Sequence, residues 1–251
     1  MIDMHIHLDL YKNALQMAKL LNKNNNFSLC VTTSPRAWLV TSRVFEQFTN
    51  IKVALGLHPQ VVMQKQNELQ LFIDNIQNCV FIGEIGIDGG KECLSTKLKQ
   101  IEFFDRIIFE CNKVGKRILS IHSKHAEKEV CNILLKNENI GTAIMHWYTG
   151  NLTTLNSLLD YGCYFSINPM MMYSASARKI ISCIPLEKIL IETDGPFVSE
   201  KTVLFFPWNQ GELISFLAKN YEISIMEMKS QLIRNIDTVF KENEIELHLG
   251  E

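Results

Sequence analysis

Eight apolar runs of strand length recur along the chain, and they constrain its fold more than any other feature. They are Ile2–Ile6, Phe27–Val31, Ile51–Leu57, Cys79–Ile85, Arg117–Ile121, Thr142–Met145, Cys163–Ile167 and Lys188–Ile191. Each is near-continuous rather than alternating, as strands buried on both faces of a parallel sheet are. Helical patterns fill most of the gaps. Leu94, Leu98, Ile101, Phe104, Ile108 and Cys111 fall at helical spacing and stop at Gly115. Asn151 suits the N-cap of a helix carrying Leu152, Leu155, Leu158 and Leu159. Ser224-Ile-Met-Glu227 has the form of a capping box, opening a helix through Ile225, Met228, Leu232 and Val239. Strands alternating with helices over 251 residues predict an α/β fold: a (β/α)8 TIM barrel, a single domain over 1–251. A doubly wound open sheet is the alternative, but no Gly-rich phosphate loop follows the first run. Residues 198–212 are the least regular stretch. Phe205-Phe206-Pro207-Trp208 within it reads as packing rather than as a loop over the barrel mouth.

Composition narrows the function classes. A net charge of −2 gives no global basic field for coating nucleic acid. It leaves open a nuclease whose positive charge comes from bound metal ions. The seven cysteines include no CxxC pair, so neither a zinc knuckle nor a thioredoxin motif is expected. They read as small buried hydrophobes in a reducing cytoplasm. No apolar run approaches the ~18 residues of a membrane span, and the first residues already read as strand rather than signal peptide.

The ends of the runs carry the chemistry. The first ends in His5-Ile6-His7, two imidazoles two residues apart and so on one face of a strand. The fourth ends in Gly83-Glu84-Ile85-Gly86-Ile87-Asp88, the fifth in Ile121-His122-Ser123, the sixth in His146-Trp147-Tyr148 and the eighth in Glu192-Thr193-Asp194-Gly195-Pro196. Each has a bland reading: an edge-strand pair, a turn carboxylate, a core histidine, a capping aspartate. In a barrel, however, all strand C-termini open on one face. Four histidines (His5, His7, His122, His146) and two carboxylates (Glu84, Asp194) would converge there. That exceeds one structural zinc site and suits a two-metal site with a bridging carboxylate and an activated water. His58, ending the third run in Gly56-Leu57-His58-Pro59, stands at the same rim to contact substrate or orient a ligand. His125 is expected one turn into a helix, facing solvent, and His248 is expected to have no role.

These motifs together resemble the TatD family of metal-dependent deoxyribonucleases. The resemblance runs from His5 to about Phe240 through HIHLD, GLHP, GEIGID, Gln100-x3-Phe104, IHS, HWYTG, ETDGP and Asn235-x4-Phe240. It implies a TIM barrel, divalent metals and phosphodiester hydrolysis, often 3′→5′. It makes His5, His7, Glu84, His122, His146 and Asp194 the metal ligands. Glu84 would bridge, and Asp194 would also orient or deprotonate the attacking water. Lys124 and His58 would contact phosphate, and Trp147 and Tyr148 would either stack a terminal base of single-stranded DNA or simply pack at the rim beside His146. A narrower similarity, to the TatD-like nucleases of Qat anti-phage systems, rests on Asp9-Leu10-Tyr11, Thr32 to Trp38, His58-Pro59-Gln60, Asp88-Gly89-Gly90 and Gly195-Pro196-Phe197. It implies partner proteins from the same operon. Two departures bear on substrate. The family's His-x-Arg is His122-Ser123-Lys124 here, a point charge in place of a bidentate fork. The basic stretch expected after ETDGP is replaced by Phe205–Gln210.

The ligand set alone leaves two further functions open. The same activated water attacks an ester, lactone, amide or aminoacyl carbonyl. A defence-complex subunit with secondary catalysis would keep the same residues. Mixed histidine and carboxylate donors accept Mg2+, Mn2+, Zn2+ or iron.

Overall fold

The computed structural model describes residues 2–24, 26–200, 203–204 and 207–245. Its strands are β1 (Ile2–Ile6), β2 (Phe27–Val31), β3 (Ile51–Ala54), β4 (Phe81–Gly86), β5 (Arg117–His122), β6 (Gly141–His146), β7 (Tyr164–Ile167) and β8 (Ile189–Ile191). One helix separates each strand from the next: α1 (Ala14–Lys23), α2 (Pro35–Phe45), α3 (Leu69–Asn75), α4 (Lys97–Val114), α5 (Glu127–Leu134), α6 (Leu152–Tyr161) and α7 (Ala175–Ile181). After β8 come a short antiparallel ribbon, β9 (Ser199–Glu200) with β10 (Val203–Leu204), then α8 (Gly211–Asn220) and α9 (Ile225–Glu242).

β1–β2–β3 form one parallel ladder and β4–β5–β6–β7–β8 another. Backbone bonds cross both seams. Leu55 N donates to Phe81 O at 3.0 Å and Gly83 N to Leu55 O at 2.9 Å. On the far side, Asp194 N donates to His5 O at 2.9 Å and His7 N to Gly195 O at 2.8 Å. Asp3 reinforces this seam: Thr193 donates to its carboxylate from the backbone at 3.0 Å and from the hydroxyl at 2.6 Å. The third run reaches only Ala54 as strand, short of the expected Leu57. Beyond Ala54 the pairing is reduced to an isolated bridge from Leu55 to Ile82 of β4, and a Cβ on Gly56 would lie 1.7 Å from the Thr32 carbonyl oxygen.

The barrel is filled, not hollow. Ile2, Met4, Leu29, Ala54, Phe81, Ile118, Ile144, Tyr164 and Leu190, drawn from all eight strands, join one buried cluster. Ile236, Val239 and Phe240 of α9 complete it. Phe240 meets Phe27 and Phe81, the first residues of β2 and β4, edge to face at 5.4 and 5.9 Å. α9 therefore closes the N-terminal end of the barrel and leaves the C-terminal end for chemistry. The capping box forms as the sequence predicts, with Glu227 N donating to Ser224 Oγ at 3.1 Å and Ser224 N to Glu227 Oε2 at 2.8 Å. Asn151 caps α6 through Thr154 N at 2.9 Å.

The stripe expected on α4 is partly mis-phased. Leu94 lies in the 3-10 turn before the helix and Leu98 is 84% exposed. The buried face is Gln100, Phe103, Phe104, Ile107, Ile108 and Cys111. At about 100° per residue, Leu98 falls on the opposite side of the helix from these. Of the cysteines, Cys183 is exposed and the other six are buried, with none in a disulfide. Trp208 packs beside the cluster under α1, while Phe205, Phe206 and His248 lie outside the described residues. No described helix is long and apolar enough to cross a membrane.

Candidate metal centre

A register break in β1 delivers the first two histidines. Ile2 pairs with Phe27 and Asp3 with Ser28, but Ile6 pairs with Cys30. Met4 therefore joins the barrel-filling cluster while Ile6 turns outward to the α1 cluster. His5 and His7, either side of Ile6, face inward. The bulge re-aims side chains, as bulges beside active sites do.

Glu84 is the meeting point. His7 Nε2 lies 3.1 Å, His58 Nε2 3.3 Å and His5 Nε2 3.5 Å from its Oε2, while His122 Nδ1 lies 2.7 Å from its Oε1. Burial alone would raise this carboxyl, but His58, His5 and His122 around it hold it well below the usual range. β4 and β5 can approach this closely because Gly86 (φ +143°) has no Cβ; one there would lie 2.0 Å from the His122 carbonyl oxygen. Asp194 stands beside the group, with Oδ1 3.7 Å from His5 Nε2 and 3.8 Å from His7 Nε2, and Oδ2 4.0 Å from His146 Nε2. Burial pushes Asp194 up to about 6, against the pull of His146 and His7.

The second ring nitrogens of His5, His122 and His146 are backed by further groups, whereas His7 Nδ1 has no hydrogen-bond partner among the described residues. His5 Nδ1 is 2.7 Å from Ser120 Oγ, His122 Nε2 is 3.1 Å from Asp88 Oδ2, and His146 Nδ1 is 2.8 Å from Glu192 Oε2. Such backing fixes tautomer and ring orientation in metal-binding histidines. The two carboxylates were not singled out by sequence reasoning. Glu192 shares its strand-end face with Asp194, two residues on, which was the available signal. Ser166 and Asn168 Nδ2 also donate to Glu192, so its oxygens are engaged. Asp88 accepts from Gln60 Nε2 at 2.7 Å, and its backbone N–H donates to Gln100 Oε1 at 2.7 Å. That last bond explains Gln100 in the Gln100-x3-Phe104 motif. Burial drives His5 well below its ordinary value, with His146 adding to the effect, so its ring is neutral. Burial opposes charge on His146 too, but Glu192 and Asp194 outweigh it and push His146 up to about 10.

The donors fit divalent metal. Among the described residues, His5, His7 and Glu84 form one group with ligand atoms within 4.8 Å of one another, and His58, Glu84 and His122 form a second. Glu84 belongs to both, the position a bridging carboxylate takes. A third group, His5, His146 and Glu192, is better described as a histidine pair held by an orienting carboxylate, given the engagement of Glu192.

A cavity of about 630 Å³ opens over the centre, lined in part by His58, Asp88, Lys124, His125, Trp147 and Phe197. A larger outer groove of about 860 Å³ runs past Gln70, Glu102, Asp105 and Arg106 and is lined by none of these donors. The remaining expected substrate residues divide. His58 sits against Glu84 among the donors rather than outside them. Lys124 is exposed at the rim, and Trp147 lines the cavity with a left-handed backbone, φ +41°. Tyr148 is corrected: it is 1% exposed, its ring edge to face with Phe165 at 5.5 Å and its hydroxyl donating to Asn151 O, so no face is open for stacking. His125 does not enter a helix. It sits in the turn before α5, exposed at the cavity rim.

Residues 2–241 match the family model described as TatD related DNase. An uncharacterized metal-dependent hydrolase of Buchnera aphidicola subsp. Baizongia pistaciae is 30% identical over 212 residues, 79% of each chain. Deoxyribonuclease TATDN3 of Homo sapiens is 25% identical over 201 residues, 74% of this chain and 73% of that one. The crystal structure of YJJV, a TatD homolog from Escherichia coli K12, superposes with a TM-score of 0.82 at 19% identity, covering 96% of this chain and 97% of that one.

Proposed function

From the premise that the chain belongs to the TatD related DNase family of metal-dependent hydrolases, we propose that it hydrolyses phosphodiester bonds of single-stranded DNA, from the 3′ end, at a two-metal centre. The observation that carries this reading is Glu84, met on both carboxylate oxygens by histidines from separate strand ends. The name of the human relative, a deoxyribonuclease, supports the substrate class. His5, His7, Glu84, His122, His146 and Asp194 would hold the ions, with His58 beside them. Bound Mg2+, Mn2+ or Zn2+ would lower the pKa of water toward neutrality and neutralise charge on the phosphoryl oxygens.

The chain's own groups supply the rest. Ser120, Asp88 and Glu192 hold the rings of His5, His122 and His146 in place. Asp194 would orient the attacking water and take its proton at a carboxylate oxygen. Lys124 grips phosphate as a point charge at the rim, and Trp147 offers a stacking face. The Qat-like motifs support a role in anti-phage defence, in the cytoplasm and with partner proteins of the same operon.

One variant tests both levels. Glu84→Ala is expected to abolish metal-dependent cleavage of 5′- and 3′-labelled single strands, and protection against phage in a plaque assay, with an unchanged circular dichroism spectrum. Cleavage surviving in the variant overturns the assignment. Wild-type turnover of small esters or amides, without cleavage of oligonucleotides, replaces the substrate. Protection surviving without cleavage makes catalysis secondary to assembly.

A further inference from the structure

Phe197 is the large apolar side chain that the metal centre leaves uncovered. It is 63% exposed, and it lines the cavity directly beside the donors. Its ring meets that of His7 edge to face, with centroids 5.0 Å apart. Its backbone is pinned on the same side: Phe197 N donates to Asp194 O at 3.0 Å, and the carbonyl of Gly195 accepts from His7 N at 2.8 Å. Asp194 holds a left-handed backbone at φ +50°. The chain thus turns sharply at a candidate ligand and projects a rigid aromatic ring into the cavity.

The cavity has one other large apolar aromatic in its lining, the half-buried Trp147, also set by a left-handed backbone directly after His146. The rest of its lining is mostly polar, including Lys124 and His125 at the rim. A ligand suited to these walls presents a planar π-face to the aromatics and anionic oxygen to the donors and cations. A nucleobase joined to its phosphate has both. Resting on the nuclease reading above, we infer that Phe197 is a substrate-positioning residue, a platform on which the base adjoining the scissile phosphate stacks. The enzyme would then recognise a base-bearing end of the strand and not the sugar-phosphate chain alone.

An abasic substrate separates this inference from the reading beneath it. Wild-type protein and Phe197→Ala are compared on one single strand carrying, at each of its last two 3′ positions in turn, either a base or an abasic tetrahydrofuran residue. Stacking on an aromatic contributes ~1–3 kcal/mol per base, so one abasic position is expected to raise the wild-type KM about ten-fold. Phe197→Ala is expected to show that raised KM on the natural strand and no further rise on the abasic one. Phe197→Trp is expected to restore the wild-type pattern. A natural-strand KM unchanged in Phe197→Ala, or full sensitivity to the abasic position persisting in it, overturns the inference and leaves the nuclease reading standing. Failure of the wild type to cleave any oligonucleotide overturns both. Anisotropy of the same labelled strands on Glu84→Ala and Glu84→Ala/Phe197→Ala proteins supplies the binding comparison without turnover.

Discussion

Three histidines of the centre are held on a second ring nitrogen, and what stands behind the ring differs from one to the next. His146 has the carboxylate of Glu192, His122 that of Asp88, and His5 the hydroxyl of Ser120. A carboxylate behind an imidazole fixes its tautomer and raises its basicity, and losing it typically costs 10–100-fold in metal affinity. Glu192→Gln keeps the volume and removes the charge. Its affinity for Zn2+ or Mn2+ is expected to fall by roughly that factor, measured by competition with a chromophoric chelator. Unchanged affinity would assign Glu192 to packing alone. The histidines were legible in the sequence because each ends an apolar run. Their backing was not, because Glu192 and His146 are 46 residues apart and Asp88 and His122 are 34 apart. Tyr148 was misplaced for a related reason: adjacency to His146 says nothing of which side of the turn its ring takes.

Periodicity found the elements better than it found their phase. The capping box and the N-cap are local and read directly, as Ser224 with Glu227 and Asn151 with Thr154 show. On α4 the leucines looked continuous with the apolar stripe, yet Leu98 faces solvent and Gln100 is fully buried. A buried glutamine enters no hydrophobic pattern; its place is set by its bond to Asp88. In β1 the register break depends on β2, so the sequence shows two histidines on one face without showing how that face turns inward. α9 carries the cleanest test of an element. Asn235 Nδ2 donates to Leu186 O and Ile189 O, and Phe240 fills the barrel's closed end. Phe240→Ala is expected to cost about 3–5 kcal/mol in urea unfolding, with metal affinity unchanged because the donors lie at the opposite end. An equal loss of metal would show the two ends to be coupled.

For the molecule as a whole, the number and alternation of the strands foretold the barrel, while its closure depends on contacts between the first strand and the residues after the last. Asp3, His5 and His7 all bond to the segment Thr193–Gly195. Removing residues 1–6 is therefore expected to abolish metal binding together with cooperative thermal unfolding. The His5→Ala/His7→Ala variant is expected to lose metal and keep a cooperative melt. A truncated chain that still melts cooperatively would show that the seam is dispensable.

That seam, with the Phe240 plug, also orders events on the ribosome. His5 and His7 emerge before Glu84, Asp194 follows some 190 positions after the histidines, and the helix that stops the barrel floor later still. Domains fold as their sequence is completed during synthesis. A nascent chain consequently carries His5, His7 and Glu84 without Asp194 until β8 has been made. The complete donor set therefore comes together only after β8, and a chain stopped before it would hold an incomplete metal centre.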